Sequence, residues 1–347
     1  STGDAITGMA MELRRHLRVL GRSEIFALHR DASIHDEIKP LHELPLGRPG
    51  DVLIYHASFG EPTMTRAILD RVERLVLVFH NITPSRYFVH LDPDFAARLE
   101  WAHHELLLLR ERVSLSIAVS SFNAEQLTGL GYRDVHVIPS GLRPGRLTDF
   151  APEASMAEEF DRRVPGANVV VAVSQVLPHK RHDILIHAVH VLQWVHTLEI
   201  GLVIVGPNRF DHYTAALKDL ARRLRVRNVW FTGRVSDRAL STILRKSSIF
   251  VSASEHEGLG IPPLEAMRFG LPVVVREAGA TYETVGDAAL LLPGGAGPLL
   301  FAEAIRRVLD DSCLRSHLVS SGFRHTDALI ASDPSLTAFI PLISAMV

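Results

Sequence analysis

What most narrows the fold is a series of short, unbroken apolar runs along the chain: Leu75-Val-Leu-Val-Phe79, Val169-Val-Val-Ala-Val173, Leu202-Val-Ile-Val205, Ile249-Phe-Val251 and Val273-Val-Val275. Such runs, rich in β-branched residues and lacking polar alternation, read as strands covered on both faces, as in parallel sheets. Between them lie segments with apolar residues at helical spacing. The reading places strands at Glu24–Leu28, Asp51–His56, Arg74–His80 and Leu115–Ser120, with helices at Ala5–Leu20, Pro62–Asp70, Pro93–Arg110 and Asn123–Leu130. A second block has strands Asn168–Ser174, Gly201–Gly206, Val229–Gly233, Ile249–Ala253, Pro272–Arg276 and Ala289–Pro293. Its helices are His182–His196, Asp211–Leu224, Asp237–Arg245 and Leu299–Leu309. Alternating β and α in two blocks predicts an α/β protein built from two doubly wound, Rossmann-like domains.

A chain of 347 residues is long enough for two ordinary cores. The expected division is residues 1–150, a linker at 151–166 rich in Pro, Gly and Glu, residues 167–330, and a C-terminal helix over 331–347. A formal net charge of -2 gives no electrostatic case for nucleic acid. One cysteine excludes an internal disulfide framework, and no apolar run approaches a membrane span of about 20 residues. The expectation is a soluble, cytoplasmic protein. Arg14, Arg15, Arg18 and Arg22 form a basic face that could touch the inner surface of an anionic membrane; a solvated helix side is the ordinary alternative.

The chemistry is expected in Ser254-Glu-His-Glu-Gly-Leu-Gly-Ile-Pro-Pro-Leu-Glu-Ala266. A strand precedes it, Gly258 and Gly260 form a loop, and Pro262 and Pro263 suit a first helical turn. Strand, glycine loop and helix start together present backbone N–H groups and a positive dipole end to an anion. Glu257 and Glu265 flank the loop, eight positions apart, with Glu265 expected in the first helical turn. Carboxylates do not hold phosphate, so their natural partners are the hydroxyls of a sugar or ribose. Complementing the helix dipole is the ordinary alternative for Glu265.

Two further stretches stand at strand ends. His80 opens His80-Asn-Ile-Thr-Pro84, and His56 follows Tyr55 in a similar position; either imidazole can donate to a hydroxyl or phosphate oxygen. Pro178-His-Lys-Arg181 sets Lys180 and Arg181 beside a helix start, where two cations call for an anion.

The string Glu257-Gly-Leu-Gly-Ile-Pro-Pro-Leu-Glu265-Ala-Met, continuing to Gly270-Leu-Pro-Val-Val and Glu283-Thr-Val-Gly-Asp, resembles the Glu-x7-Glu signature of retaining glycosyltransferases of family 4, which have the GT-B fold. The resemblance implies two domains facing each other across a cleft, with a nucleotide diphosphate sugar as co-substrate and neither cofactor nor metal. It assigns Glu257 to the transferred sugar, Glu265 to the ribose and Lys180 to the diphosphate, helped by Arg181 and the Gly258-Leu259-Gly260 amides. His80 falls beside the transferred sugar, as in a branch of the family with a His-Asn-Ile-Thr-Pro string. Arg234 and Val235 fall near the nucleotide base, and Gly3 in a first glycine-containing loop. The family also carries an arginine a few residues before the lysine; Gln175 stands there instead, removing one positive charge. Tyr87 and His56 are acceptor-side candidates, with core packing the alternative for Tyr87.

The implied activity is transfer of a hexose from a GDP- or UDP-sugar to a hydroxyl of a saccharide or lipid-linked acceptor in envelope polysaccharide or glycoconjugate synthesis. A non-catalytic nucleotide-sugar-binding subunit is the main rival, motivated by Gln175. A nicotinamide dehydrogenase would share the strand pattern but needs a Gly-x-Gly-x-x-Gly after a strand, which is not found. A phosphorylase or sugar-nucleotide hydrolase on the same fold is the third alternative.

Overall fold

The computed structural model describes residues 5–30, 36–139, 145–166, 168–332 and 334–346. They fall into two compact units, Ser1–Leu142 with Ser332–Val347, and Arg143–Ala331.

In the first unit the order is α1 (Ala5–Leu17), β1 (Phe26–Ala27), β2 (Lys39–Pro40), β3 (Val52–Ala57), α2 (Pro62–Leu69), β4 (Arg74–Phe79), α3 (Pro93–Leu109), β5 (Val113–Ala118), α4 (Ser121–Gly129) and β6 (Val135–Val137). Strands β3 to β6 pair in parallel in that order. Leu75, Val76, Leu77 and Val78 of β4 are fully buried, as their uninterrupted apolar pattern requires of a central strand. Helix α1 ends at Leu17 rather than Leu20 because its apolar stripe does: Met9, Leu13 and Leu17 are buried, whereas Val19 and Leu20 are exposed. The expected strand at Glu24–Leu28 does not join this sheet. Only Phe26–Ala27 is extended, paired with Lys39–Pro40 in a separate two-stranded ladder. The apolar run Ile25–Leu28 is only four residues long between polar Glu24 and His29, too little apolar surface to be covered on both faces.

The second unit contains α5 (Ala154–Arg163), β7 (Asn168–Val173), α6 (His182–Trp194), β8 (Ile200–Val205), α7 (Asp211–Arg223), β9 (Val229–Gly233), α8 (Asp237–Lys246), β10 (Ile249–Ser252), α9 (Ile261–Arg268), β11 (Val273–Arg276), α10 (Thr281–Val285), β12 (Leu290–Leu292), α11 (Pro298–Asp310) and α12 (Ser312–Ser332). Its all-parallel sheet has the order β12-β11-β10-β7-β8-β9, so the winding reverses between β7 and β10. Loops leaving those two strands therefore lie side by side, where ligands of open α/β sheets bind. Beneath them, Val170, Leu202, Ile204, Ile249 and Val251 pack against Leu185, Val189 and Leu192 of α6 and Phe301, Ile305 and Val308 of α11.

Residues 151–166, expected as a linker, are mostly helix α5. Phe160 is buried there, next to Trp230, and Glu153 N donates to Thr242 Oγ1 at 2.8 Å. An apolar side chain on one helix face needs cover, and α8 supplies it. The unit also begins earlier than residue 151: Leu147 is fully buried, and Arg245 donates to Thr148 O at 2.8 Å. After α12 the chain returns to the first unit as α13 (Pro334–Ser344), beside α1, and Arg74 donates to Met346 O at 2.7 Å.

Candidate active site

Within the second unit, the loops after β7 and β10 meet as the strand order dictates. Glu255 N donates to His179 O at 2.8 Å, joining the two loops through their backbones. Across that seam Lys180 Nζ donates to Glu257 Oε1 at 2.8 Å, an ion pair whose side chains are 16% and 20% exposed. This pair retains access to solvent.

Both ends of the glycine loop are held from one side. Ala280 N donates to Glu257 O at 3.0 Å, and Thr284 Oγ1 donates to Leu259 O. The approach beside Glu257 is close: a Cβ on Gly279 would lie 2.2 Å from Glu257 O, and Gly279 has φ 55°, so only glycine fits. Gly260 caps α9 with φ 88°, again a left-handed conformation that glycine adopts freely. With these carbonyls engaged by α10 and the turn before it, the turn aligns Gly258-Leu259-Gly260 with the start of α9. The first N–H groups of that helix have no partner inside it.

Glu265 lies one turn into α9, not in its first turn, because the helix starts at Ile261. The residue is 7% exposed, and burial pushes its pKa up. Arg146, in the loop preceding α5, opposes that shift: its Nη2 donates to Glu265 Oε1 at 3.3 Å while Nη1 pairs with Asp237 at the start of α8.

Arg181 departs from its expected role. It adopts φ 52°, and its guanidinium donates to Asp183 at 2.9 and 3.0 Å and to Glu255. Glu255 also accepts from Arg276 at 3.1 Å, and Arg276, buried at 3% exposure, donates to Ala296 O at 2.6 Å. The cation is thus committed to two carboxylates, and its αL backbone turns it toward them. Gln175 is exposed just beyond β7, Arg234 is exposed and Val235 half-buried beyond β9, and Gly3 lies outside the described residues.

In the first unit, His56 and His80 are brought together from adjacent strand ends. Nδ1 of His56 and Nε2 of His80 are 2.8 Å apart, and the rings stack with centroids 5.1 Å apart. Burial lowers the His56 pKa to about 4; burial and then His56 hold His80 well below the usual histidine range. Two neutral rings, one donating and one accepting, result. Asn81, next to His80, has φ 87° and donates to Asn123 Oδ1 at 2.6 Å, which shapes the turn after β4. Tyr87 is half-buried, with Arg86 over its ring at 5.0 Å. Of the basic face on α1, Arg14 is 12% exposed and paired with Glu37 at 2.6 Å, and Arg22 pairs with Glu24 at 3.0 Å, so much of that charge is neutralised.

Among the described residues, no cluster of three or more His, Cys, Asp or Glu side chains is arranged for a metal, and no helix is long and apolar enough to cross a membrane.

Comparison with known proteins now bears on this geometry. The family profile of glycosyl transferases group 1 matches residues 157–325, which contain Lys180, Glu257 and Glu265. Over these residues the chain is similar to the group 1 glycosyltransferases. The chain is 30% identical over 199 residues to the GDP-mannose-dependent monoacylated alpha-(1-6)-phosphatidylinositol monomannoside mannosyltransferase of Corynebacterium glutamicum, covering 55% of this chain and 51% of that protein. It is 25% identical over 250 residues to O-antigen chain mannosyltransferase B of Escherichia coli, covering 70% and 63%. The chain spans about half the length of the curated relatives it matches. In fold it is similar to HepE of Anabaena in complex with UDP and glucose, with TM-score 0.72, 19% identity and coverage of 99% and 96%. A glycosyltransferase from Rickettsia africae gives TM-score 0.74 at 15% identity, covering 100% and 96%. The chain has the GT-B fold.

Lys180 and Glu257, both singled out from loop patterns in the sequence, are brought into contact by the fold. Sequence reasoning missed Arg146, Thr284 and the Glu255–Arg276 pair. Glu255 sits inside the motif and Thr284 next to Glu283, but nothing in their spacing announced a contact. Arg146 falls within residues 1–150, the expected block that does not hold Glu265.

Proposed function

We propose that this protein is a retaining, metal-independent glycosyltransferase of family 4. It moves a hexose from a GDP- or UDP-sugar to a hydroxyl of a saccharide or lipid-linked acceptor in envelope polysaccharide or glycoconjugate synthesis. The observation that carries this reading is the Lys180–Glu257 pair at the mouth of the glycine loop that starts α9. One residue of the pair suits a phosphate and the other a sugar hydroxyl, and they meet where the two would join. Mannosyltransferase relatives support the sugar class, and the O-antigen relative supports the envelope setting.

In this mechanism the diphosphate lies over the amides of Gly258 to Gly260 and the start of α9, and Lys180 exchanges part of its bond to Glu257 for a phosphate oxygen. Negative charge grows on that phosphate as the glycosidic bond breaks. Preorganised donors at such a point are worth about 3 kcal/mol each. A cation and a helix dipole supply the charge that a metal provides in other transferases, which motivates metal independence. Glu257 orients the sugar hydroxyls and Glu265 accepts from the ribose. The acceptor hydroxyl attacks on the face from which the phosphate leaves, passing its proton to a phosphate oxygen, and the anomeric configuration is retained. His80, in the first unit, is a neutral imidazole and can donate a hydrogen bond.

A non-catalytic donor-binding subunit is the second reading. It is favoured by exposed Gln175 and by the engagement of Arg181 with Asp183 and Glu255, which leave Lys180 as the cation at the loop. Titration calorimetry with GDP- and UDP-hexoses, followed by product NMR with chelator present, tests both. Binding with turnover and an α product from an α donor supports the transferase. Binding without turnover over a panel of saccharide and lipid-linked acceptors supports the subunit. No binding by any nucleotide sugar overturns both.

A further inference from the structure

The Arg146–Glu265 contact was not expected from the motif and has a chemical consequence. Glu265 is 7% exposed, so as an isolated group it would be driven toward its neutral acid form. A protonated carboxyl would accept poorly from a vicinal diol, because one of its oxygens becomes a donor. The cation that opposes this is Arg146, 3.3 Å from Oε1 and held in place by Asp237.

We infer that Arg146 is a positioning residue: it is the counter-ion that fixes Glu265 as an oriented carboxylate, ready for the donor ribose. This rests on the ribose role proposed for Glu265. Asp237 has a double effect, orienting Arg146 while adding a negative charge that works against Glu265. Charged groups on the neighbouring elements are otherwise engaged or exposed. Arg276 on β11 and Glu255 beyond β10 pair with each other, and Glu257 pairs with Lys180. Arg268 pairs with Asp327 of α12, and Glu283 of α10 is exposed.

The test uses the full chain and titrates GDP and UDP by calorimetry from pH 6.5 to 9, comparing wild type, Arg146→Met, Arg146→Lys and Glu265→Gln. Wild type should bind one nucleotide with little pH dependence. Arg146→Met should bind roughly tenfold more weakly at pH 6.5, the scale of one charged hydrogen bond, and recover as pH rises through the elevated Glu265 pKa. Arg146→Lys should restore most of the affinity at neutral pH. Glu265→Gln should be weakened at every pH. An Arg146→Met deficit constant across pH marks a packing role and overturns the inference. A Glu265→Gln variant that binds as wild type overturns the ribose assignment, and the inference with it. Infrared difference spectroscopy reads the same point without a ligand. A protonated carboxyl band should appear in Arg146→Met at neutral pH and vanish in Arg146→Met/Glu265→Gln; its absence overturns the inference even where no nucleotide binds.

Discussion

The two units solve the same problem, polar groups held at strand ends, by opposite means. In the first, His56 and His80 are half-buried against each other and are held neutral, one ring donating to the other. Glu105 in the same unit is 1% exposed, accepts hydrogen bonds from Tyr55 and Thr65, and has its pKa raised by burial. In the second, the pairs are ionic: Lys180 with Glu257, Arg146 with Glu265, Arg181 and Arg276 with Glu255. Burial alone removes charge; burial beside an opposite charge preserves it. The histidine pair of the first unit is therefore a neutral hydrogen-bonding group. The second offers fixed charge, suited to a diphosphate.

The comparison breaks most visibly at Lys180. Lys180→Met should leave the fold intact by circular dichroism yet lower turnover by about 10²–10³-fold, the loss expected for one preorganised charged donor. A loss under tenfold would mean that the loop amides and helix dipole suffice.

Acidification should strain the neutral pair next. Folded His56 titrates at about 4 and His80 well below the usual range, whereas unfolded histidine titrates near 6.5, so the unfolded chain binds more protons below that value. Their contribution to stability is complete above about pH 6.5 and is lost as pH falls toward 4; for His56 this is on the order of 3 kcal/mol. His179 and His182 in the second unit titrate in the same direction. Urea unfolding at pH 7.5, 5.5 and 4.5 should show the slope, and His56→Asn should flatten part of it. An unchanged slope in that variant would place the acid sensitivity elsewhere.

Gly279→Ala tests whether the charged site depends on backbone geometry. The added methyl would sit 2.2 Å from Glu257 O at a positive φ, so the loop must move at a cost of roughly 1–3 kcal/mol. Donor affinity should fall with thermal stability, although no side chain of the site is removed.

The smallest effect sharpens the contrast. Glu105→Gln keeps an acceptor and the shape of the group while removing its ability to ionise, so stability should change by within about 1 kcal/mol. Glu265→Gln, by contrast, should weaken donor binding substantially. A large destabilisation by Glu105→Gln would show that the first unit also depends on a buried charge.

Much of this was legible in the sequence where one residue's environment follows from its near neighbours. The apolar runs located β4, β7, β8, β10 and β11 because strands covered on both faces tolerate no polar alternation. The strand–glycine–proline order located α9 and Glu257 ahead of it, whereas the contact of Glu257 with Lys180 came only from the fold. Phe160 shows the limit: composition read residues 151–166 as a linker, whereas one buried aromatic makes them part of the second unit.

By itself, then, the sequence determined the α/β class, the rhythm of strands and helices, and the glycine loop between two carboxylates, all consequences of local pattern. Tertiary structure decided what each charge faces. It turned Arg181 toward Asp183 and Glu255, set Glu265 one turn deeper than expected, and brought Arg146 across from another loop to meet it. The reason is physical: backbone pattern is set by neighbours along the chain, whereas electrostatic partnership falls off with distance in space and takes no account of separation in sequence.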